Sequence, residues 1–252
     1  MNLKQPVLGI VATGLAIVAS LAFIALFEFQ LFAGWVSYAL LCIIPMQIVI
    51  GVTWRAKLPA RAAQQAQPLK GGLLVLLTVA VGLVVGLAYF FVVGGRVGPP
   101  TPMLIQCAIV SVAVTFWAAI MWDGWPFRTI FRNPITAGLA MLVTCYVVNY
   151  AMFRIFFNYA FLEGAPVYVP ALDPQGMFNA WSALVFYMSA LGIMFLMLHF
   201  DLWPLTRFPA LMQQPVLGVV WTTVALALGG LAFYVGTTIV GIDVVRYFVR
   251  VP

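Results

Sequence analysis

Polar residues interrupt this chain so rarely that its main feature is a succession of continuous apolar runs. Seven of them, approximately residues 6–27, 35–53, 71–93, 102–122, 135–157, 177–200 and 216–240, reach the length of about 20 residues that a helix needs to cross a bilayer. A membrane-spanning strand would alternate apolar and polar positions; these runs do not, so each is predicted to be a helix. The predicted fold class is all-α: a polytopic integral membrane protein in which residues 1–252 form a single transmembrane domain. Pro45 inside the second run predicts a kink.

The polar punctuation between the runs repeats. Asp123-Gly124-Trp125-Pro126 is followed by Arg128, Arg132 and Asn133-Pro134-Ile135-Thr136-Ala137-Gly138. Asp201-Leu202-Trp203-Pro204 is followed by Arg207 and Gln214-Pro215-Val216-Leu217-Gly218. Trp54 leads to Gln67-Pro68-Leu69-Lys70-Gly71, and the chain opens on Gln5-Pro6-Val7-Leu8-Gly9. Proline costs least in the first turn of a helix, where its missing N–H has no intrahelical partner to lose. A preceding Asn or Gln can serve the exposed N–H groups there. The repeat therefore predicts one leading helix plus three helical hairpins of the same orientation, with Trp54, Trp125 and Trp203 as interfacial anchors. Asp123 and Asp201 are candidates to hold the guanidinium groups of Arg128 and Arg207, locking each turn; a docking surface for a partner is the alternative reading of these turns.

Charge refines the topology. Only 7% of residues are charged against 65% hydrophobic, far from the roughly one quarter charged of a soluble domain. The net charge of +6 is spread along the chain rather than gathered in a patch, so no nucleic-acid partner is expected. With the N-terminus in the cytoplasm, Lys4, Arg55, Lys57, Arg61, Lys70, Arg128, Arg132 and Arg207 lie inside, and Arg96, Arg154, Arg246 and Arg250 outside. That excess inside satisfies the positive-inside rule and puts the C-terminus outside, in a cell inner membrane. The first apolar run is long and closed by no small-residue cleavage site, so it reads as a retained helix. Residues 241–252 read as an interfacial tail, with Asp243, Arg246 and Arg250 on one face.

Candidate chemistry is sparse. One histidine, His199, excludes His-rich metal centres, and Cys42, Cys107 and Cys145 sit inside apolar runs without CxxC spacing, so neither a metal nor another cofactor is expected. No titratable acid or base lies near the middle of a span, where proton-coupled transporters place one. What remains is Gln106 and Asn149 in the outer halves of their helices, with Arg154, Asn158, Glu28, Glu163 and Asp173 beyond them. Beneath the proline-rich connection 158–176, these seven residues would line an outward-facing binding pocket, with Arg154 paired to Glu28, Glu163 or Asp173.

Three functions fit. The first is a small permease or channel for a neutral or weakly polar solute. The second is a non-catalytic subunit or scaffold of a larger membrane complex, with other membrane subunits or further copies of the chain as partners. The third is an embedded enzyme acting on a lipid or quinone, for which Arg154, Glu163 and Asp173 are the reactive groups at hand. A non-enzymatic role is preferred, and the bilayer is the one partner common to all three.

Overall fold

In a computed structural model, described for residues 6–54, 59 and 63–241, seven helices are long and apolar enough to cross a membrane. They are α1 (Val7–Ile24), α2 (Phe29–Thr53), α3 (Leu69–Val92), α4 (Pro102–Met121), α5 (Pro134–Phe156), α6 (Ala180–His199) and α7 (Val216–Gly241). Gln5, most of the basic linker after Trp54 and the tail from residue 242 lie outside the described residues.

The helix starts follow from the residues before them. Thr101, Asn133 and Asn179 each turn a side-chain oxygen onto backbone N–H groups of the first turn of α4, α5 and α6. Gln67 and Gln214 do the same for α3 and α7 from one residue further back: each Oε1 accepts from the N–H of a glycine four residues on, Gly71 and Gly218, at 3.1 Å. The ends of α2 and α4 are also alike. Each closes in a wide π-helical turn, Val49–Thr53 and Trp117–Met121, and each turn is followed by a tryptophan whose N–H returns to the carbonyl five residues before, Trp54 to Val49 and Trp122 to Trp117.

Sequence neighbours pack together, α2 on α3, α4 on α5 and α6 on α7, and α2 also runs along α4. Small residues set the closest approaches. A Cβ on Gly82 of α3 would stand 2.6 Å from the Ile43 side chain, and one on Gly229 of α7 would stand 2.6 Å from the Ala190 backbone. The main core fills the space among α2, α3, α4 and α5 with Tyr38, Cys42, Met46, Met103, Cys107 and Met141, all buried. A smaller core of Met121, Leu191, Met194 and Trp221 joins α6 and α7 to the end of α4. By contrast, α1 has no buried residue at all.

Two elements depart from the sequence expectation. Helix α2 starts at Phe29, not near residue 35, so the α1–α2 link shortens and Glu28 becomes the residue that opens α2. The connection after α5 is not purely irregular: β1 (Phe157–Asn158) pairs in parallel with β2 (Phe178–Asn179), a two-residue ladder in an otherwise helical chain. Gly176 makes this possible, because any Cβ there would lie 2.5 Å from the Phe157 nitrogen. Between the two strands the chain folds back as a cap, and Leu172 packs onto Gly95 in the α3–α4 loop.

Candidate functional site

The cap is built around one carboxylate. Asp173 is buried, and its two oxygens accept from the Tyr159 backbone N–H at 3.2 Å each, from the Gln175 N–H at 2.9 Å and from the Tyr168 hydroxyl at 2.9 Å. The hydrogen bond to Asp173 pushes the Tyr168 phenol above its ordinary range, since it stabilises the protonated form. Tyr159 carries the network inward. It is 1% exposed, burial holds its phenol well above the usual range, and its hydroxyl donates to Gln106 Oε1 at 2.9 Å. Gln106 in turn donates from Nε2 to the Ala180 carbonyl at 2.9 Å, tying α4 to the start of α6. Asn158 caps the following turn through Oδ1 to the Ala160 N–H.

Asn149 belongs to a separate knot between α5, α3 and α4. Its Nδ2 donates to the Tyr89 hydroxyl at 2.7 Å and to the Cys107 carbonyl at 3.0 Å, while Oδ1 is buried without a partner. Of the seven residues grouped by sequence as an outer pocket, Gln106 and Asp173 are therefore joined through Tyr159, and Asn158 and Asn149 are each engaged locally. Arg154, Glu28 and Glu163 stand exposed, and among the described residues the one ion pair is Arg128 with Asp123. Tyr159, the residue that links the cap to the helices, escaped sequence reasoning because an aromatic in an apolar loop carries no polar signal.

At the opposite end the two Asp-x-Trp-Pro turns share a backbone. Asp123 and Gly124 have φ of +46° and +71°, and Asp201 and Leu202 have +50° and +59°. Their ion pairs differ. Arg128 binds Asp123 and also donates to the Thr53 carbonyl at 3.0 Å, whereas Arg207 lies 5.2 Å over the Trp203 ring. Arg128 follows its aspartate by five residues and Arg207 by six, so the pairing expected of both turns forms only at the first. Trp125 lines a recess, while Trp203 is exposed. Pro126 opens a short helical turn, Phe127–Ile130, and Pro204 opens Leu205–Arg207.

A contact the sequence did not reveal recurs between successive helix pairs. The last carbonyl of the wide turn in α2, Thr53, is capped by Arg128; its counterpart in α4, Met121, is capped by Gln214 Nε2 at 2.9 Å. The tryptophan that follows then sits on a glycine three helices further on. A Cβ on Gly138 would be 2.5 Å from Trp54 Nε1, and one on Gly218 would be 2.7 Å from the Trp122 ring. Trp54 thus corresponds to Trp122, not to Trp125 or Trp203.

The largest recess among those described is a trench of about 740 Å³ with α4 as floor, α5 as one wall and α6 with α7 as the other. Ala113, Trp117, Ala118, Val148, Met152 and Phe186 typify its apolar lining. The hydroxyls of Thr144 and Thr222 are engaged: Thr144 donates to the Ala140 carbonyl, and Thr222 accepts from Trp117 and Trp122 at 3.1 Å each. Ser182 and Tyr187 also line the trench, and neither hydroxyl has a protein partner among the described residues.

No group of three or more His, Cys, Asp or Glu able to hold a metal occurs among the described residues, and His199 bonds through Nδ1 to the Phe195 carbonyl at 2.7 Å. The arrangement joins an apolar multi-helix body to a hydrogen-bonded cap and a long greasy trench. Compared with known proteins, this chain matches no family model, no curated protein and no solved structure.

Proposed function

We propose that this chain is a non-catalytic membrane subunit that joins helices of other membrane proteins, or of further copies of itself. The observation that carries this reading is α1, an 18-residue apolar helix with no buried residue. Along one face it repeats small residues at four-residue spacing, Ala12, Ala16 and Ser20, the pattern that lets a second helix approach closely where lipid supplies no hydrophobic drive. The polar residues argue in the same direction. Gln106 and Asp173 are spent on bonds that hold the cap to the helices, and Asn149 on bonds between helices. Arg154, Glu28 and Glu163 stand exposed with no ion-pair partner among the described residues, so the solute-permease reading draws less support from the geometry.

The repeat belongs to the same proposal: three hairpins, α2–α3, α4–α5 and α6–α7, stacked by one recurring contact, with the Trp–Pro turns at the cytoplasmic face and the cap outside. Purification from native membranes in a mild detergent tests the subunit reading. A second membrane protein should accompany the chain in fixed ratio and be lost with Ala16→Leu, which blocks the small-residue face. A lone chain that conducts a small solute in vesicles would overturn it. Cysteine labels at Gln64 and Thr206 should react from the cytoplasm, and labels at Pro99 and Ala171 from outside; the reverse pattern would invert the orientation.

A further inference from the structure

We infer that copies of this chain join head to tail in the membrane, the start of α1 of one copy docking against the end of α6 of the next, with Gly9 beneath the Phe200 ring and Gln5 on the His199 carbonyl. This names a second copy as the partner for one face of α1, and so rests on the subunit reading above.

The start of α1 carries the residues of a contact already formed inside the chain. Gln5-Pro6-Val7-Leu8-Gly9-Ile10-Val11-Ala12-Thr13 matches Gln214-Pro215-Val216-Leu217-Gly218-Val219-Val220-Trp221-Thr222 at seven of nine positions. In α7 two of these residues serve the end of α4. Gln214 Nε2 donates to the Met121 carbonyl at 2.9 Å, and Gly218 leaves room for the Trp122 ring, which a Cβ would approach to 2.7 Å. Helix α1 presents the same segment with no residue buried. The start of α3, Gln67-Pro68-Leu69-Lys70-Gly71 and onward, matches α7 at only three of the nine positions, so α1 is the better copy.

The end of α6 offers the other half. Aligned through the Asp-x-Trp-Pro turns, His199-Phe200-Asp201 takes the place of Met121-Trp122-Asp123. The backbone agrees: the Trp125 N–H returns to the Trp122 carbonyl and the Trp203 N–H to the Phe200 carbonyl, at 2.8 Å each. Yet the end of α4 is covered and the end of α6 is not. Phe200 is 61% exposed, and the His199 carbonyl accepts no hydrogen bond from the described residues. A glutamine side chain can serve such a helix-terminal carbonyl. Charge is complementary as well: Lys4 precedes Gln5, and Asp201 follows Phe200 with no ion-pair partner among the described residues.

Two parts of the contact do not repeat. Helix α6 ends without the wide turn, and Phe200 brings a ring but no N–H for Thr13, the counterpart of Thr222. The first junction also forms without an indole bond, since Trp54 Nε1 has no partner, so the carbonyl cap and the ring on glycine define the contact. Successive spans alternate in direction, which places the start of α1 and the end of α6 on one side of the bilayer, like the start of α7 and the end of α4. The two docking surfaces differ, so the join is heterologous and either closes as a ring or continues as an array.

Thiol cross-linking in membranes tests the join. Copies with Gly9→Cys are co-expressed with differently tagged copies with Phe200→Cys, and a short membrane-permeant bis-thiol reagent is added. The native cysteines Cys42, Cys107 and Cys145 are buried, and the wild type serves as control. A cross-linked pair should form between the two variants and in neither alone, and a chain carrying both substitutions should give a ladder. Adding Gln5→Ala to the Gly9→Cys copies should cut the yield about fivefold, the worth of one hydrogen bond. In mild detergent, Gly9→Leu and Phe200→Ala, one on each side of the join, should each reduce the native oligomer to single copies at an unchanged unfolding temperature. Cross-links in Gly9→Cys alone would show two α1 helices meeting each other and would overturn the head-to-tail join. So would an absence of cross-links in the mixed sample, or equal capture of Phe200→Cys by Gly71→Cys. A foreign membrane protein that co-purifies in fixed ratio while no cross-link forms leaves the subunit reading standing and sinks this inference alone; the absence of both sinks both.

Discussion

The two junctions between successive helix pairs, α2–α3 with α4–α5 and α4–α5 with α6–α7, share their end contacts and are finished differently. At both, a wide turn ends a helix, a polar side chain from the next hairpin caps its last carbonyl, and a tryptophan seats on a glycine. At the first junction the contact continues along the helix pair: Tyr38 and Cys42 of α2 share a buried cluster with Met103, Leu104, Cys107 and Val110 of α4, and Met46 and Val49 share the next with Ala119. At the second junction the contact is made at the ends, and the middle opens into the trench. The difference lies in the side chains. Where α2 and α4 fill the gap with sulfur-containing and branched residues, α4 and α6 face the trench with Ala113, Ala118, Ser182 and Ala183 as well as with larger side chains. A shared set of contacts therefore joins successive helix pairs, and the first junction is filled along its length where the second is left open in the middle.

The glycine seats give the largest expected contrast. Gly138→Leu drives a side chain into Trp54 and Val49, both enclosed by the sealed core, and should destabilise the protein by about 3 kcal/mol or more, read as lost folded protein in thermal unfolding. Gly218→Leu meets Trp122, whose ring borders the trench and has room to turn; its cost should be smaller, on the order of 1–2 kcal/mol. Equal losses would mean that the second junction is packed as tightly as the first.

The capping side chains come next. Arg128→Met removes the pair with Asp123 and leaves the Thr53 carbonyl bare, a loss of about 2 kcal/mol for charge-assisted bonds at a half-buried site. Arg207→Met gives up a surface contact with Trp203, worth about 0.5 kcal/mol. Gln214→Ala should fall between them at about 1 kcal/mol, through its bonds to Met121 and Gly218. Because Arg128 and Gln214 serve different junctions, the double variant should be additive to within about 0.5 kcal/mol; a larger coupling would show that the junctions move as one.

What the sequence made legible is what physics writes into local runs. Seven apolar stretches foretold seven long helices with ends within a few residues, except that α2 begins earlier because Phe29 and Leu31 extend it past a short polar link. Asn133 and Gln214 announced helix starts because capping is a contact between near neighbours. The Asp123–Arg128 lock was legible for the same reason, whereas the lock expected between Asp201 and Arg207 is replaced by a contact of Arg207 with the Trp203 ring. The junction scheme was not, since Trp54 meets Gly138 across more than eighty residues and nothing in either segment names the other. The polar candidates misdirected attention to one surface. Gln106 and Asn149 lie in the same halves of two successive helices, yet they belong to different knots, because which way a helix faces is set by packing. The trench was invisible to a search for polar groups, because its lining is almost wholly aliphatic and aromatic.

The finest test of the shared scheme uses a single unpaired atom. Trp122 Nε1 donates to Thr222, four residues after the Gly218 on which that ring sits. Trp54 Nε1 is buried with no partner, and the position four residues after its own seat, Gly138, is Leu142. If the junctions are equivalent, Leu142→Thr brings an acceptor to Trp54 as Thr222 does to Trp122. The single substitution also deletes buried carbon, a loss that offsets much of the gain and makes its net effect on stability small. The pairwise effect emerges from a cycle with Trp54→Phe, which removes the donor and keeps an aromatic ring. Leu142→Thr should be about 1 kcal/mol more costly in the Trp54→Phe background than in the wild type, the ordinary value of a hydrogen bond at a buried site. Thr222→Leu combined with Trp122→Phe should show a coupling of similar size, reduced where Trp117 keeps its own bond to Thr222. No coupling at position 142 would mean that Trp54 and Trp122 approach their glycines from different sides, and that the resemblance between the junctions stops at the backbone.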